Sequence, residues 1–203
     1  GDVDQVVSDV KAALDGEGAL FIVEKDNPGL TVGEREKTQG LYALPMHPVT
    51  LENCEVPAED RLGGDEGCNY ALFLQRSRIA MAAMATGMCN AAYEFAREYG
   101  KTREQFGEPI VHRQSVAFML AEMAYEVDAL RLLTWKAASR LEAGKDATRE
   151  AYLAKLYAGE MTMKITDYGV QILGGHGYTR EYSQERYYRN ARAISNLEGL
   201  ATV

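Results

Sequence analysis

Residues Arg113 to Ala143 read RQSVAFMLAEMAYEVDALRLLTWKAASRLEA, and within them Val116, Leu120, Met123, Val127, Leu130, Ala137 and Leu141 recur in a mostly 4-3 alternation. Side chains three and four apart share one side of an α-helix, so this stretch predicts a long amphipathic helix whose apolar stripe needs partner helices. The stretch before it, from about Asn69 to Tyr99, sets Ala85, Met88, Ala92, Phe95 and Tyr99 on one face, and Gly100 is suited to end it. A third helix is predicted over Thr148 to Leu173, after the turn-like Gly144-Lys145-Asp146 and before Gly174-Gly175, and a short fourth over Ser183 to Ala193. Long helices joined by short links pack most simply as an antiparallel bundle.

Upstream the pattern changes. The residues up to about Gly64 carry four of the five prolines and punctuate short β-type runs such as Ala19 to Glu24 and Val49 to Val56. The chain therefore divides into a strand-and-turn part, 1–64, and a helical part, 65–203, an α+β organisation of more than one domain.

The 203 residues include 22 Lys or Arg and 30 Asp or Glu, a formal charge of −8, which argues against nucleic acid as the main partner. With 46% hydrophobic and 26% charged residues the composition is that of an ordinary globular chain. Cys54, Cys68 and Cys89 form no CxxC, and no histidine stands at zinc-ligand spacing, so neither a disulfide framework nor a metal site is expected. That usage fits a reducing cytosolic or matrix-like compartment. The most apolar run, Ile79 to Ala92, is broken by Thr86, Gly87 and Asn90 and falls short of the ~20 residues that span a bilayer, so no membrane span is expected. The opening GDVDQVVSDV has neither an initiating Met nor the pattern of a signal peptide, and reads as a cut.

Several motifs could carry chemistry. QILGGHGYTREY, from Gln171 to Tyr182, puts two glycines at the end of a helix, where they serve either as a helix stop or as a place for a flat or phosphate-bearing ligand to approach the backbone. In KTREQFG, from Lys101 to Gly107, Lys101 and Arg103 beside Phe106 are either solvated loop charges or an anion site with a ring to stack on a base. His112 to Ser115 opens the next helix and offers its amides to anions. Glu198, in LEGLATV, is either a solvated glutamate near the chain end or a carboxylate in an apolar pocket, a setting that raises the pKa toward that of a general base.

In this order the motifs resemble the acyl-CoA dehydrogenase family, from about Gly18 onward. The stretch from Gly18 to Gly63 resembles the second half of that family's middle β-barrel. QRSRIAMAAMATG, KTREQFGEPIVHRQSVAFMLAEMA, QILGGHGYTREY and YYRNARAISNLEG resemble its successive C-terminal signatures. The resemblance implies a partial antiparallel β-barrel followed by an antiparallel four-helix bundle, noncovalent FAD, and removal of hydrogen from the α and β carbons of an acyl-CoA thioester. Electrons would pass to an electron-transferring flavoprotein, in the bacterial cytoplasm or the mitochondrial matrix.

Residue by residue, Glu198 matches the family's catalytic base and Gly199 the glycine after it. Where some members carry the base on the QRSRIA helix, this chain has Ser77. Arg78 matches an arginine beside the substrate. Arg103, Phe106 and Gln114 match contacts to the adenosine pyrophosphate half of FAD. Gln171, Gly174 and Gly175 match a second set that reaches a neighbouring subunit's FAD, which implies a homodimer or homotetramer. Leu197, Leu200 and Asn190 depart from the frequent Tyr, Thr and Asp. The flavin-ring contacts of the family come from segments before residue 1, so this chain alone is expected to be inactive. Two other readings stay open: a non-catalytic helical oligomerisation module, and an acyl-CoA oxidase or flavin monooxygenase relative.

Overall fold

The computed structural model describes residues 19–197. They divide into two compact units, 19–38 with 42–74, and 39–41 with 75–197. The described residues are mostly helical, with two small antiparallel sheets among them.

In the first unit, β1 (Leu30–Val32) pairs antiparallel with β2 (Val49–Leu51) in the register Leu30 to Leu51, Thr31 to Thr50 and Val32 to Val49. The ladder continues through Gly33 N–H to the Pro48 carbonyl and Glu52 N–H to the Gly29 carbonyl, both 2.9 Å. Gly29 is required here, because a Cβ would stand 2.4 Å from Cys54 Cα. The strand expected over Ala19 to Glu24 is a single bridge, Phe21 with Arg61, and that expected over Val49 to Val56 is three residues long. The pairing stops after Glu52, where Asn53 takes the backbone into a left-handed φ of 49°. Val32, Val49 and Leu51 are each more than half exposed.

The second unit contains α1 (Tyr70–Thr102) from Gln75 onward, α2 (Gln114–Glu142), α3 (Thr148–Leu173), the one-turn α4 (Gly175–Tyr178) and α5 (Gln184–Asn196). Contacts fix the directions. Asn90 accepts from Arg131 and a Cβ on Gly100 would meet Leu120, so α2 runs back along α1. Gln75 bonds Asp146 and Thr148 while Cys89 bonds Thr162, so α3 runs with α1. Gln184 lies against Gly169 and Ser195 against Gly159, so α5 runs against α3.

The expected stripe of α2 faces the core: Leu120, Met123, Val127, Leu130 and Ala137 are buried. On α1 the centre of the buried face is a step round from the expected one. Ala82, Ala85, Cys89, Ala92 and Ala96 are fully buried, with Met88, Phe95 and Tyr99 flanking them. These small side chains meet the larger ones of α2 and the Ala154, Ala158 and Ile165 face of α3.

Gly100 does not end α1. It is buried, lacks a left-handed φ, and lies where a Cβ would meet Leu120 and Val111 at 3.7 Å. The helix continues to Thr102, whose hydroxyl donates to the Glu98 carbonyl at 3.0 Å. Among the described residues no helix is long and apolar enough to cross a membrane, and no three His, Cys, Asp or Glu side chains cluster as metal ligands.

Candidate functional site

The link from α1 to α2 is a tight hairpin. Its strands, β3 (Glu104–Gln105) and β4 (Glu108–Pro109), pair antiparallel across Phe106 and Gly107, which have φ of 57° and 84°. Two consecutive positive φ values make the two-residue turn whose twist matches that of the strands. In the sequence only Gly107 announces this turn, because a positive φ at Phe106 has no signature of its own. Arg103 N–H donates to the Tyr99 carbonyl and Ile110 N–H to the Arg103 carbonyl, at 2.8 and 2.9 Å, so the hairpin is fastened to the last turn of α1.

That hairpin stands beside the end of α3. Between them lies a cavity of about 370 Å³, lined by Arg103 and Gln105 on one side and by Gln171, Gly174, Gly175 and His176 on the other. Gly174 has φ 58° and ψ −131°, a conformation that side chains oppose, and neither glycine has anything within 4 Å of where a Cβ would stand. The main chain of two consecutive residues thus faces open space. Gly177, by contrast, is buried, and a Cβ there would stand 2.3 Å from the Val170 carbonyl oxygen.

Four of the residues singled out from sequence, Arg103, Gln171, Gly174 and Gly175, therefore share one cavity. Lys101 is turned away into an ion pair with Glu98 at 3.1 Å, which with Arg97 holds that carboxyl below its usual range. Arg103 has no carboxylate within ion-pair reach among the described residues. Its charge is available to an anion, as a pyrophosphate group requires.

Phe106 and Gln114 are not in the cavity lining. Phe106 is 91% exposed at the hairpin tip, beneath the Arg113 guanidinium at 5.4 Å, and Gln114 is exposed as the first residue of α2. His112 and Arg113 both pair with Glu108, at 3.4 and 3.1 Å, so the charges of that motif are partly satisfied within the chain. Sequence reasoning missed Tyr99 and His176 as site residues. The Tyr99 hydroxyl and His176 Nδ1 are 2.8 Å apart, and His176 stacks on Tyr182 at 5.2 Å between ring centroids. Burial pushes the Tyr99 hydroxyl above its usual pKa. His176 stands inside the very motif that drew attention, and its pairing with a helix 77 residues earlier is invisible to spacing.

Arg78 lies far away on α1. Twenty-five residues at ~1.5 Å each separate it from Arg103 by roughly 37 Å. Its guanidinium sits over the Tyr152 ring at 5.5 Å, and its Nε is buried without a hydrogen-bond partner in the described structure. An unmatched donor of this kind carries a real cost unless a ligand or water answers it. Asn190 Oδ1 accepts from Leu41 N–H at 2.8 Å and Gly40 packs on the Arg189 carbonyl, where a Cβ would stand 2.5 Å away. The bond needs only an acceptor, which either Asn or Asp supplies. Glu198 and Gly199 lie outside the described residues.

The sequence model of the family described as acyl-CoA dehydrogenase, C-terminal domain, matches residues 65–203. The mitochondrial short-chain specific acyl-CoA dehydrogenase of Rattus norvegicus is 37% identical over 188 residues, covering 91% of this chain and 45% of the relative. The caffeyl-CoA reductase-Etf complex subunit CarC of Acetobacterium woodii is 38% identical over 187 residues, covering 91% and 49%. The solved butyryl-CoA dehydrogenase of Megasphaera elsdenii superposes with a TM-score of 0.81 at 38% identity, covering 89% of this chain and 48% of that one. The chain spans about half the length of the relatives it matches.

Proposed function

The chain belongs to the acyl-CoA dehydrogenase family, and on that premise we propose that the whole protein is an FAD-dependent dehydrogenase acting on an acyl-CoA thioester. The observation that carries this reading is the cavity at the end of α3, where Arg103, which has no ion-pair partner among the described residues, shares the lining with the bare backbone of Gly174 and Gly175. A cation opposite two glycines fits a pyrophosphate, and Gln171 adds a side-chain amide for the adenosine half of FAD. Phe106 and Gln114 take part from the hairpin tip and the start of α2. FAD, when bound, supplies the acceptor for the hydride that leaves the substrate β-carbon.

The protein's own part is proton transfer and placement. Glu198 accepts the α-proton of the thioester, and desolvation by bound substrate raises the carboxylate's proton affinity to suit that task. Hydrogen bonds to the thioester carbonyl make the α-proton more acidic. Arg78, with its buried unmatched Nε, and Gly199 serve the substrate side.

Arg78 on α1 and Arg103, the residue just past its end, stand roughly 37 Å apart, too far to attend the same phosphate. This supports a homodimer or homotetramer in which Gln171, Gly174 and Gly175 serve a neighbour's FAD. The outward side of α2 supports the same reading: Phe118, Tyr125, Leu132 and Trp135 are each more than half exposed, at intervals that share one helix face. Residues 1–64 complete the middle barrel and 65–203 form an antiparallel four-helix bundle. The exposed apolar side chains of β1 and β2 support that assignment, because a lone two-stranded ladder is marginally stable and needs further strands. An electron-transferring flavoprotein is the proposed acceptor, in the cytoplasm or the mitochondrial matrix.

The test is an anaerobic titration of the full-length protein with acyl-CoA thioesters of graded chain length. Bound flavin that bleaches with one class supports the dehydrogenase and names its substrate. Absence of bound flavin, or flavin that no thioester bleaches, overturns it.

A further inference from the structure

Lys155 is the largest fully buried side chain of the described residues, at 1% exposure in the first third of α3. An ammonium that leaves water at such a site is costly unless its three donors find partners. Its Nζ donates to the Ile194 carbonyl at 2.7 Å and to the Leu197 carbonyl at 3.0 Å. These oxygens belong to the last turn of α5 and to the residue after it, where backbone acceptors have no partner within the helix and the dipole favours a cation. One turn along α3, Gly159 lets α5 approach, its missing Cβ leaving 3.3 Å to Ser195 Cβ. A cavity of about 250 Å³ opens beside this end of α5, lined by Lys155, Gly159, Arg192 and Ser195.

We propose that Lys155 is a positioning residue for the catalytic base: by holding the end of α5 and the Leu197 carbonyl it fixes the peptide unit to which Glu198 is joined. The link is covalent and short. The Leu197 carbonyl is half of the planar peptide unit that joins Leu197 to Glu198, so a bond to that oxygen orients the whole unit. A base must lie within hydrogen-bond reach of its proton, and small displacements cost large factors in rate. A buried lysine is otherwise a poor way to stabilise a helix end, since a well-packed apolar side chain often does as well. The inference rests on the reading of Glu198 as the base.

The experiment compares K155M with wild type in the full-length FAD-loaded protein, and runs E198Q in parallel. The expected result is a fall on the order of 100-fold in the rate of anaerobic flavin reduction, with FAD content retained and the acyl-CoA dissociation constant held within about three-fold. A residue that merely stabilises the fold would not separate rate from binding in this way. A reduction rate for K155M within about three-fold of wild type overturns the proposal. If K155M fails to hold FAD, K155L, which likewise removes the donor, is read by the same criteria, and loss of the fold in both variants also overturns it. Normal reduction by E198Q refutes the assignment of the base itself. An inactive E198Q beside a normal K155M refutes only the role of Lys155.

Discussion

The Tyr99 hydroxyl and the Nδ1 of His176 stand 2.8 Å apart and tie the last turns of α1 to the short helix that follows α3. Both residues line the cavity with Arg103 and Gly174, so this bond fixes the width of the opening. A net hydrogen bond of about 0.5–1.5 kcal/mol corresponds to a factor of roughly 2 to 13 in an equilibrium constant. Y99F is expected to weaken FAD binding by about that factor, read by quenching of flavin fluorescence on adding apoprotein. An unchanged dissociation constant would separate the cavity from the cofactor.

The two exposed glycines of the same cavity make a sharper pair. Gly174 has φ 58° and ψ −131°, so G174A strains the backbone by about 1–3 kcal/mol as well as filling the cradle. Gly175 has open space at the Cβ position and no positive φ. G175A should therefore keep the melting temperature of the apoprotein and lose FAD, whereas G174A should lower both. Full FAD content in G175A would count against the cradle.

The helices were legible because their apolar spacing is long and regular: α3 begins and ends at Thr148 and Leu173, as the turn before it and the glycines after it suggested. Gly100 misled, since a glycine near a helix end is ambiguous between a stop and a place of close packing. Only the neighbouring Leu120 and Val111 decide which it is. The short β1 was illegible because its three residues lie between Gly29 and Gly33 and owe their pairing to a strand 17 residues away. In the site, Arg103, Gln171, Gly174 and Gly175 were found through their motifs. Tyr99, His176 and Lys155 were not, because each acts on a partner distant in sequence.

Cys89 is fully buried on α1, with its thiol 3.5 Å from the Thr162 hydroxyl, and burial pushes its pKa up to about 11. Thiolate is the reactive form, so Cys89 is expected to resist a thiol reagent in the native protein and react on unfolding. Cys54 and Cys68, both half-buried, should react first. Peptide mapping after a brief native exposure to iodoacetamide checks this, and early labelling of Cys89 would contradict the packing of α1 on α3.

Lys164 on α3 lies 3.0 Å from Glu122 and 3.4 Å from Glu126 on α2, and Tyr157 and Tyr168 donate to the same two carboxylates. The bond from Lys164, helped by Tyr168, holds Glu122 below its ordinary value of 4.5. A lowered carboxyl pKa stabilises the fold above the unfolded value, and the benefit disappears as pH falls through the folded one. Lys164 is shifted the other way, so its contribution persists through neutral pH and is lost only under strongly alkaline conditions. E122Q should flatten the acid side of a plot of melting temperature against pH and leave the neutral region little changed. An unaltered acid limb would show that the α2–α3 network does not report on folding.

The most direct test of the central claim is anaerobic stopped-flow reduction of E198Q in the full-length protein by its best acyl-CoA. The amide keeps the size of the side chain and removes its basicity. The account predicts bound FAD, normal thioester binding and flavin reduction slowed by about 10²- to 10⁴-fold, the scale of a lost general base. Flavin that bleaches at the wild-type rate would contradict it.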